Sequence, residues 1–162
     1  MYVAVAGTFG PIHDGHRRLF EHALRFGDDG VVVGLASDDL AVETRRDDPR
    51  PIPSFGERTR AVSQTLAELD EWGRDVEIRE LDDELGIAST DPSIDALVVS
   101  PETVSELEDV NSRRRERGLE PLTGIVAPYV LDEDGERISS TRMVRGEIDE
   151  HGATIDTDGT ND

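Results

Sequence analysis

The first sixteen residues read Met1-Tyr2-Val3-Ala4-Val5-Ala6-Gly7-Thr8-Phe9-Gly10-Pro11-Ile12-His13-Asp14-Gly15-His16, and the change of pattern at Gly7 decides the fold. Met1 to Ala6 is a short apolar run with Val3 and Val5 at alternate positions, as in a buried strand. Glycine ends it and a turn follows. Beyond the turn Leu19, Phe20, Ala23 and Leu24 recur on one helical face, and Gly27 with two aspartates closes that helix. Val31 to Ala36 is again apolar and β-branched at its start, too short for a helix, so it reads as a second strand. The opening of the chain is therefore a β-α-β unit.

The same alternation continues outward. Ser37 to Pro53 is polar and rich in proline and aspartate at its centre, and reads as a long loop. Ser54 with Glu57 three residues on forms a capping box for a helix carried by Val62, Leu66 and Leu69 to about Trp72. Val76 to Leu81 is a third strand, and Asp82 to Asp95 an acidic connector. Ala96 to Val99 is wholly apolar, as expected of a central parallel strand, and Ser100-Pro101 supplies an N-cap and first-turn proline for a helix through Val104, Leu107 and Val110, ending at Gly118. Ile125 to Val130 gives a fifth strand, and Ser139 or Ser140 caps a last short helix through Val144. The expected fold class is α/β: a single Rossmann-like domain over residues 1–148, with a five-stranded parallel sheet and helices on both faces. Crossovers should be right-handed, and the ligand should lie beyond the carboxyl ends of the strands. Residues 149–162 carry few aliphatics and many acids and are expected to form an acidic, disordered tail.

Composition narrows the function. The 162 residues hold 37 Asp plus Glu against 17 basic residues, a formal net charge of −20, and every one of the basic residues is arginine. A nucleic-acid partner is not expected, because such a surface carries no basic stripe to displace counterions from phosphate. An acidic surface without lysine suits high salt, where screening removes self-repulsion. With no cysteine there is no disulfide framework, thiolate metal site or cysteine nucleophile. No apolar run reaches the roughly 18 to 20 residues of a membrane span, and the first segment lacks the basic start of a signal peptide, so a soluble, cytoplasmic protein is expected.

The turn after the first strand stands where an α/β sheet binds its ligand. A glycine there lets backbone approach an anion, free N–H groups at a helix start favour negative charge, and His13 and His16 can aim imidazole N–H at phosphate. The missing side chain at Gly15 leaves flat space for a purine. Two histidines three apart also fit a solvated turn or half a metal site; the strand before them, the glycines among them and the helix after them favour a nucleotide.

The ten residues from Gly7 to His16 resemble the GTFDxxHxGH signature of the nucleotidyltransferase superfamily, and Ile138-Ser139-Ser140-Thr141-Arg142 resembles its ISSTR-like phosphate-gripping motif. Val98 to Thr103 and Arg145 to Asp149 look like the archaeal type of phosphopantetheine adenylyltransferase within it. The resemblance implies transfer of the adenylyl group of ATP to 4′-phosphopantetheine, giving dephospho-coenzyme A and pyrophosphate, with Mg²⁺ riding on the phosphates and no dedicated metal site. Sister reactions with nicotinamide mononucleotide, a flavin or a cytidylyl donor, and a non-catalytic nucleotide-binding module, are the alternatives. It further implies catalytic roles for His13, His16, Arg45, Arg46 and Arg142. Nucleotide contacts fall to Gly7, Thr8, Phe9, His16, Ser100, Glu102, Thr103, Ser139, Ser140 and Thr141, and more loosely to Asn111–Arg114; acceptor contacts fall to Thr8 and Arg45. Two positions depart from the pattern: Gly10 stands where the family has Asp, and Glu43 where it has Lys. Arg45 or Arg46 is expected to take over the charge of that lysine.

Overall fold

In the computed structural model, which describes residues 1–47 and 49–155, five strands interleaved with helices form one sheet. Strands β1 (Tyr2–Gly7), β2 (Gly30–Ala36), β3 (Val76–Leu81), β4 (Ala96–Val99) and β5 (Thr123–Val126) lie in the order β3-β2-β1-β4-β5, all parallel. Chain order reverses between β1 and β4, which opens a crevice at their carboxyl ends.

The period of two in each strand sorts side chains to the two faces. Val3 and Val5 of β1, Val31, Val33 and Leu35 of β2, and Ala96 and Val98 of β4 pack with Phe20, Ala23 and Leu24 of α1 (Asp14–Phe26) and with Val62 and Leu66 of α3 (Phe55–Leu69). The intervening Ala4, Val32, Leu97 and Val99 meet Ala88 of α4 (Gly86–Thr90) and Val110 of α5 (Val104–Glu116). Each fully buried Val, Leu or Phe contributes about 1.5–3 kcal/mol, so these two layers carry the stability that holds the crevice open.

Five assignments differ from expectation. The stretch read as a loop from Ser37 contains α2 (Asp38–Glu43): the Ser37 hydroxyl accepts from Leu40 N–H at 3.1 Å, and Leu40 and Ala41 pack on Ala36 and Leu81. Its two aspartates fall in the first turn, where the helix dipole favours them. The acidic connector after β3 likewise holds α4. Helix α5 starts after Thr103 rather than at Ser100, because residues 100–103 close a turn in which Ser100 N–H donates to Thr103 Oγ1 at 2.9 Å. Strand β5 sits two residues early, since Ala127 N–H makes the last bond to β4, at 2.8 Å to Val99, and Pro128 has no N–H to continue the ladder. Helix α3 ends at Leu69, where the Asp70 carboxylate accepts from the N–H groups of Trp72, Gly73 and Arg74 at 2.9–3.0 Å.

The last helix, α6 (Ser140–Val144), has Ser139 as its N-cap. Residues 149–155, expected in the frayed tail, are instead paired: Ile148 and Thr154 form an antiparallel bridge, Ile148 is buried, and Ile155 N–H bonds to Glu147 at 3.1 Å. Residues 156–162 of that expected tail lie outside the described residues. Among the described residues no helix is long and apolar enough to cross a membrane.

Candidate active site

A cleft of about 760 Å³ lies at the carboxyl ends of β1 and β4. Its floor is the Gly7–His16 turn, one wall is the 100–106 segment, and the other is formed by residues 127–145 with the loop that follows α2. Phe9, in left-handed backbone at φ 50°, sends its ring inward against Phe20 at 4.9 Å and edge-on to His16 at 5.1 Å. Gly7 lets the Phe9 ring lie close to the backbone, where a Cβ would stand 3.0 Å from it. The Gly10–Pro11 peptide bond is cis.

The two histidines have fixed tautomers. His13 is the N-cap of α1, and its Nδ1 accepts from Gly15 N–H at 3.0 Å; His16 Nδ1 accepts from His13 N–H at 3.3 Å, closing a reciprocal cap. A ring nitrogen that accepts holds no proton, so in each neutral imidazole Nε2 carries the hydrogen and is a donor. The rings stack at 3.8 Å and both line the cleft. Burial pushes His13 down to about 4, and burial together with the positive charges of His13, Arg50, Arg17 and Arg45 holds His16 well below the ordinary imidazole value. At neutral pH the pair therefore presents two uncharged donors.

Two sequence-based expectations about this loop change. The space at Gly15 is taken by the His13 ring, whose Cε1 would stand 2.7 Å from a Cβ, rather than left flat for a purine. The amides at the start of α1 are also engaged: Gly15 N–H goes to His13, and Asp14 N–H donates to Glu150 C=O at 2.9 Å. That last bond belongs to a clasp in which Arg17 pairs with Asp14 at 2.8 Å and Glu150 at 3.2 Å, and His151 Nδ1 sits 3.0 Å from Asp14.

The two motifs meet. Ser140 Oγ donates to Pro11 C=O at 2.6 Å, and Arg50 spans both, with Nη1 on Gly10 C=O at 3.0 Å and Nε on Thr141 Oγ1 at 3.2 Å. Ser139 Oγ caps α6 by accepting Arg142 N–H at 3.2 Å. Among the described residues, the backbone N–H groups of Ser140 and Thr141 donate to no protein acceptor. Gly7, Thr8, Phe9, Ser100, Glu102, Thr103, Ser139, Ser140 and Thr141 all line the cleft.

The arginines divide. Arg45 lines the cleft and its buried Nε has no hydrogen-bond partner. Arg46 does not: it is 76% exposed, pairs with Glu43 at 3.5 Å, and borders a separate surface pocket with Arg113 and Asp83. One helical turn sends neighbouring side chains in different directions, so only one of the two faces the cleft. Arg142 reaches the cleft, but its guanidinium is committed to the buried Asp132 carboxylate at 2.7 Å and to Arg137 C=O at 2.9 Å. The 111–114 segment faces elsewhere: Asn111 bonds Leu122 backbone at 2.7 and 3.2 Å, and the buried Arg114 donates to the carbonyls of Ala88, Asp91 and Glu120. Arg50 and Arg137, which line the cleft, were not among the expected site residues; the only local signal for Arg50 is its place between Pro49 and Pro51.

Position 10 has a physical explanation. Arg58 is buried behind it, donating to Thr8, Ala36 and Pro53 carbonyls at 3.0, 2.8 and 2.8 Å and to Asp38 at 3.1 Å, and a Cβ at Gly10 would stand 2.6 Å from its Cδ.

The Cytidylyltransferase-like family model matches residues 4–146. A phosphopantetheine adenylyltransferase of Methanopyrus kandleri is 44% identical over 148 residues, covering 91% of this chain and 90% of that protein. The phosphopantetheine adenylyltransferase of Archaeoglobus fulgidus is 35% identical over 155 residues, covering 96% and 100%. A crystal structure of a protein of unknown function from Archaeoglobus fulgidus superposes with a TM-score of 0.66 at 26% identity, covering 96% of this chain and all of the other.

Proposed function

The chain belongs to the cytidylyltransferase-like family, and from that membership and its site we infer that it transfers the adenylyl group of ATP to 4′-phosphopantetheine, giving dephospho-coenzyme A and pyrophosphate. The observation that carries this reading is the junction of the two motifs, with Arg50 bridging Gly10 and Thr141 at the floor of one cleft. The named relatives supply the acceptor.

The acceptor's phosphate oxygen attacks the α-phosphorus of ATP in line. The bond from that phosphorus to the bridging oxygen breaks, and its electron pair leaves on pyrophosphate. An ionised phosphate needs no general base, so positioning and charge stabilisation carry the catalysis. In this reading His13 and His16 donate Nε2–H to oxygens around the α-phosphate, where neutral donors answer charge that grows in the transition state. Arg45 offers its unpartnered Nε, and Thr8 borders the acceptor. The amides of Ser140 and Thr141 and the hydroxyls of Ser139 and Thr141 face the outer phosphates, with Arg50 beside them, while the Ser140 hydroxyl stays on Pro11 C=O. Arg142 acts indirectly, by fixing the segment before α6. Phosphate oxygens of the nucleotide would hold Mg²⁺, which would partly neutralise the triphosphate; no group of three or more His, Asp or Glu side chains converges to hold a metal among the described residues. The reading includes a cytoplasmic setting, where ATP and the free acceptor are found, and adaptation to high salt, supported by the charge of −20.

Pyrophosphate release in molar KCl with ATP and a panel of acceptors tests it. Release with 4′-phosphopantetheine is expected. Release only with nicotinamide mononucleotide or a flavin phosphate, or only with CTP as donor, would replace it with a sister reaction, and ATP binding without any release would leave a binding module.

A further inference from the structure

Glu102 was expected to touch nucleotide, yet its carboxylate is paired with Arg137. The two come from opposite walls: Glu102 from the turn after β4, Arg137 from the segment between β5 and α6, one residue before the ISSTR stretch. Both line the cleft. A carboxylate at the mouth of a site for a polyanion opposes binding unless a cation answers it.

The backbone and side chain of Arg137 are held very differently. Its backbone is fixed, bridged to Leu131 and accepting from Arg142 at 2.9 Å. Among the described residues its guanidinium is held by Glu102 and by the Tyr129 ring, 5.6 Å from centroid, with 42% of the side chain exposed. An exposed ion pair is easily exchanged, and a planar guanidinium fits phosphate oxygens as well as it fits a carboxylate. Its charge also reaches His13, so the guanidinium stands within electrostatic range of the reacting end of the cleft.

We propose that Arg137 is a further ligand of the ATP triphosphate, with Glu102 as a counter-ion that holds it across the cleft mouth and releases it when nucleotide arrives. The proposal rests on the adenylyl-transfer reading. It makes Glu102 a brake on affinity rather than a contact, and makes the wall-to-wall pair a latch that the triphosphate opens by exchange.

Calorimetric titration of the full chain with a non-hydrolysable α,β-methylene analogue of ATP, in about 0.2 M KCl so that screening leaves the pair intact, tests it. Glu102→Gln should bind roughly 3- to 10-fold tighter than wild type, the change expected from removing one exposed ion-pair partner. Arg137→Ala should bind about 10-fold weaker, and Arg137→Lys should recover part of the loss. In the Arg137→Ala background, Glu102→Gln should tighten binding by clearly less than in wild type, because only repulsion of the triphosphate is then relieved and no ion pair is released. If that substitution tightens binding equally with and without Arg137, Glu102 acts by plain repulsion and the latch is wrong. Unchanged affinity in Arg137→Ala also overturns the proposal while leaving the adenylyl reading in place; absence of analogue binding by wild type overturns both.

Discussion

His16 does two things with two nitrogens. Nδ1 accepts His13 N–H and helps close the start of α1, which is structural, while Nε2–H is left to the cleft. The functions separate on substitution, because glutamine is a good residue at that third helical position and can make the same reciprocal cap. His16→Gln should keep the melting temperature near that of wild type and raise the barrier of turnover by roughly 2–4 kcal/mol, with ATP affinity little changed. A fall in melting temperature with full turnover of the folded fraction would make His16 a cap alone. His13 gives a second handle. Its value falls from 6.5 to about 4 on folding, so between those pH values the unfolded chain binds more protons than the native one, and native stability is lost as pH falls through that window. The upper limit of that loss is roughly 3 kcal/mol. Serine keeps the N-cap without the titration, so His13→Ser should flatten the decline in melting temperature from pH 6.5 to 4 in molar KCl. Identical pH profiles for the two proteins would contradict the assignment.

Single elements decide which arginine faces the cleft. Helix α2 and the turn after it point Arg45 into the cleft, leave Arg46 on the outside, and let the chain return so that Arg50 reaches both motifs. Arg45→Ala and Arg50→Ala should each lower kcat/KM about 10- to 100-fold, in line with loss of a charge-assisted bond, and Arg46→Ala should be nearly silent. A large loss in Arg46→Ala, with Arg45→Ala unaffected, would show that the loop rearranges around substrate. This region also marks where sequence stops being informative. The β1 turn and the cap of α6 were legible because a glycine after an apolar run and a serine before a helix act within a few residues. Helix α2 was hidden because its acidic first turn looks like loop composition, and its burial depends on Leu81, forty residues away. The directions of Arg45, Arg46, Arg50 and Arg142 depend on partners such as Thr141 and Asp132, which no local spacing reveals. The clasp of residues 150 and 151 on Asp14 was missed for the same reason: its acids resemble a tail until α1 is there to meet them.

At the scale of the whole molecule, charge dominates. Of the 17 arginines, Arg58 and Arg114 are buried on backbone carbonyls, so the exposed surface is more acidic than the count of −20 suggests. Screening shortens from about 10 Å at 0.1 M salt to about 3 Å at 1 M, which removes repulsion between neighbouring surface carboxylates. The melting temperature should therefore rise across a KCl series from about 0.1 to 1 M, and a flat or falling series would contradict the link between this composition and salt. An acidic molecule also repels a polyanion at long range, and the arginines that line the cleft, Arg45, Arg50, Arg137, Arg142 and Arg145, oppose that repulsion locally. The most direct test of the account follows the label. With ATP labelled at the α-phosphorus and 4′-phosphopantetheine as acceptor, the α-label should appear in a product joined to the acceptor through a new phosphoanhydride, and label placed at the γ-position should leave in pyrophosphate. Label passing from the γ-position to the acceptor, or an α-label that stays in ATP while the nucleotide is bound, would contradict it.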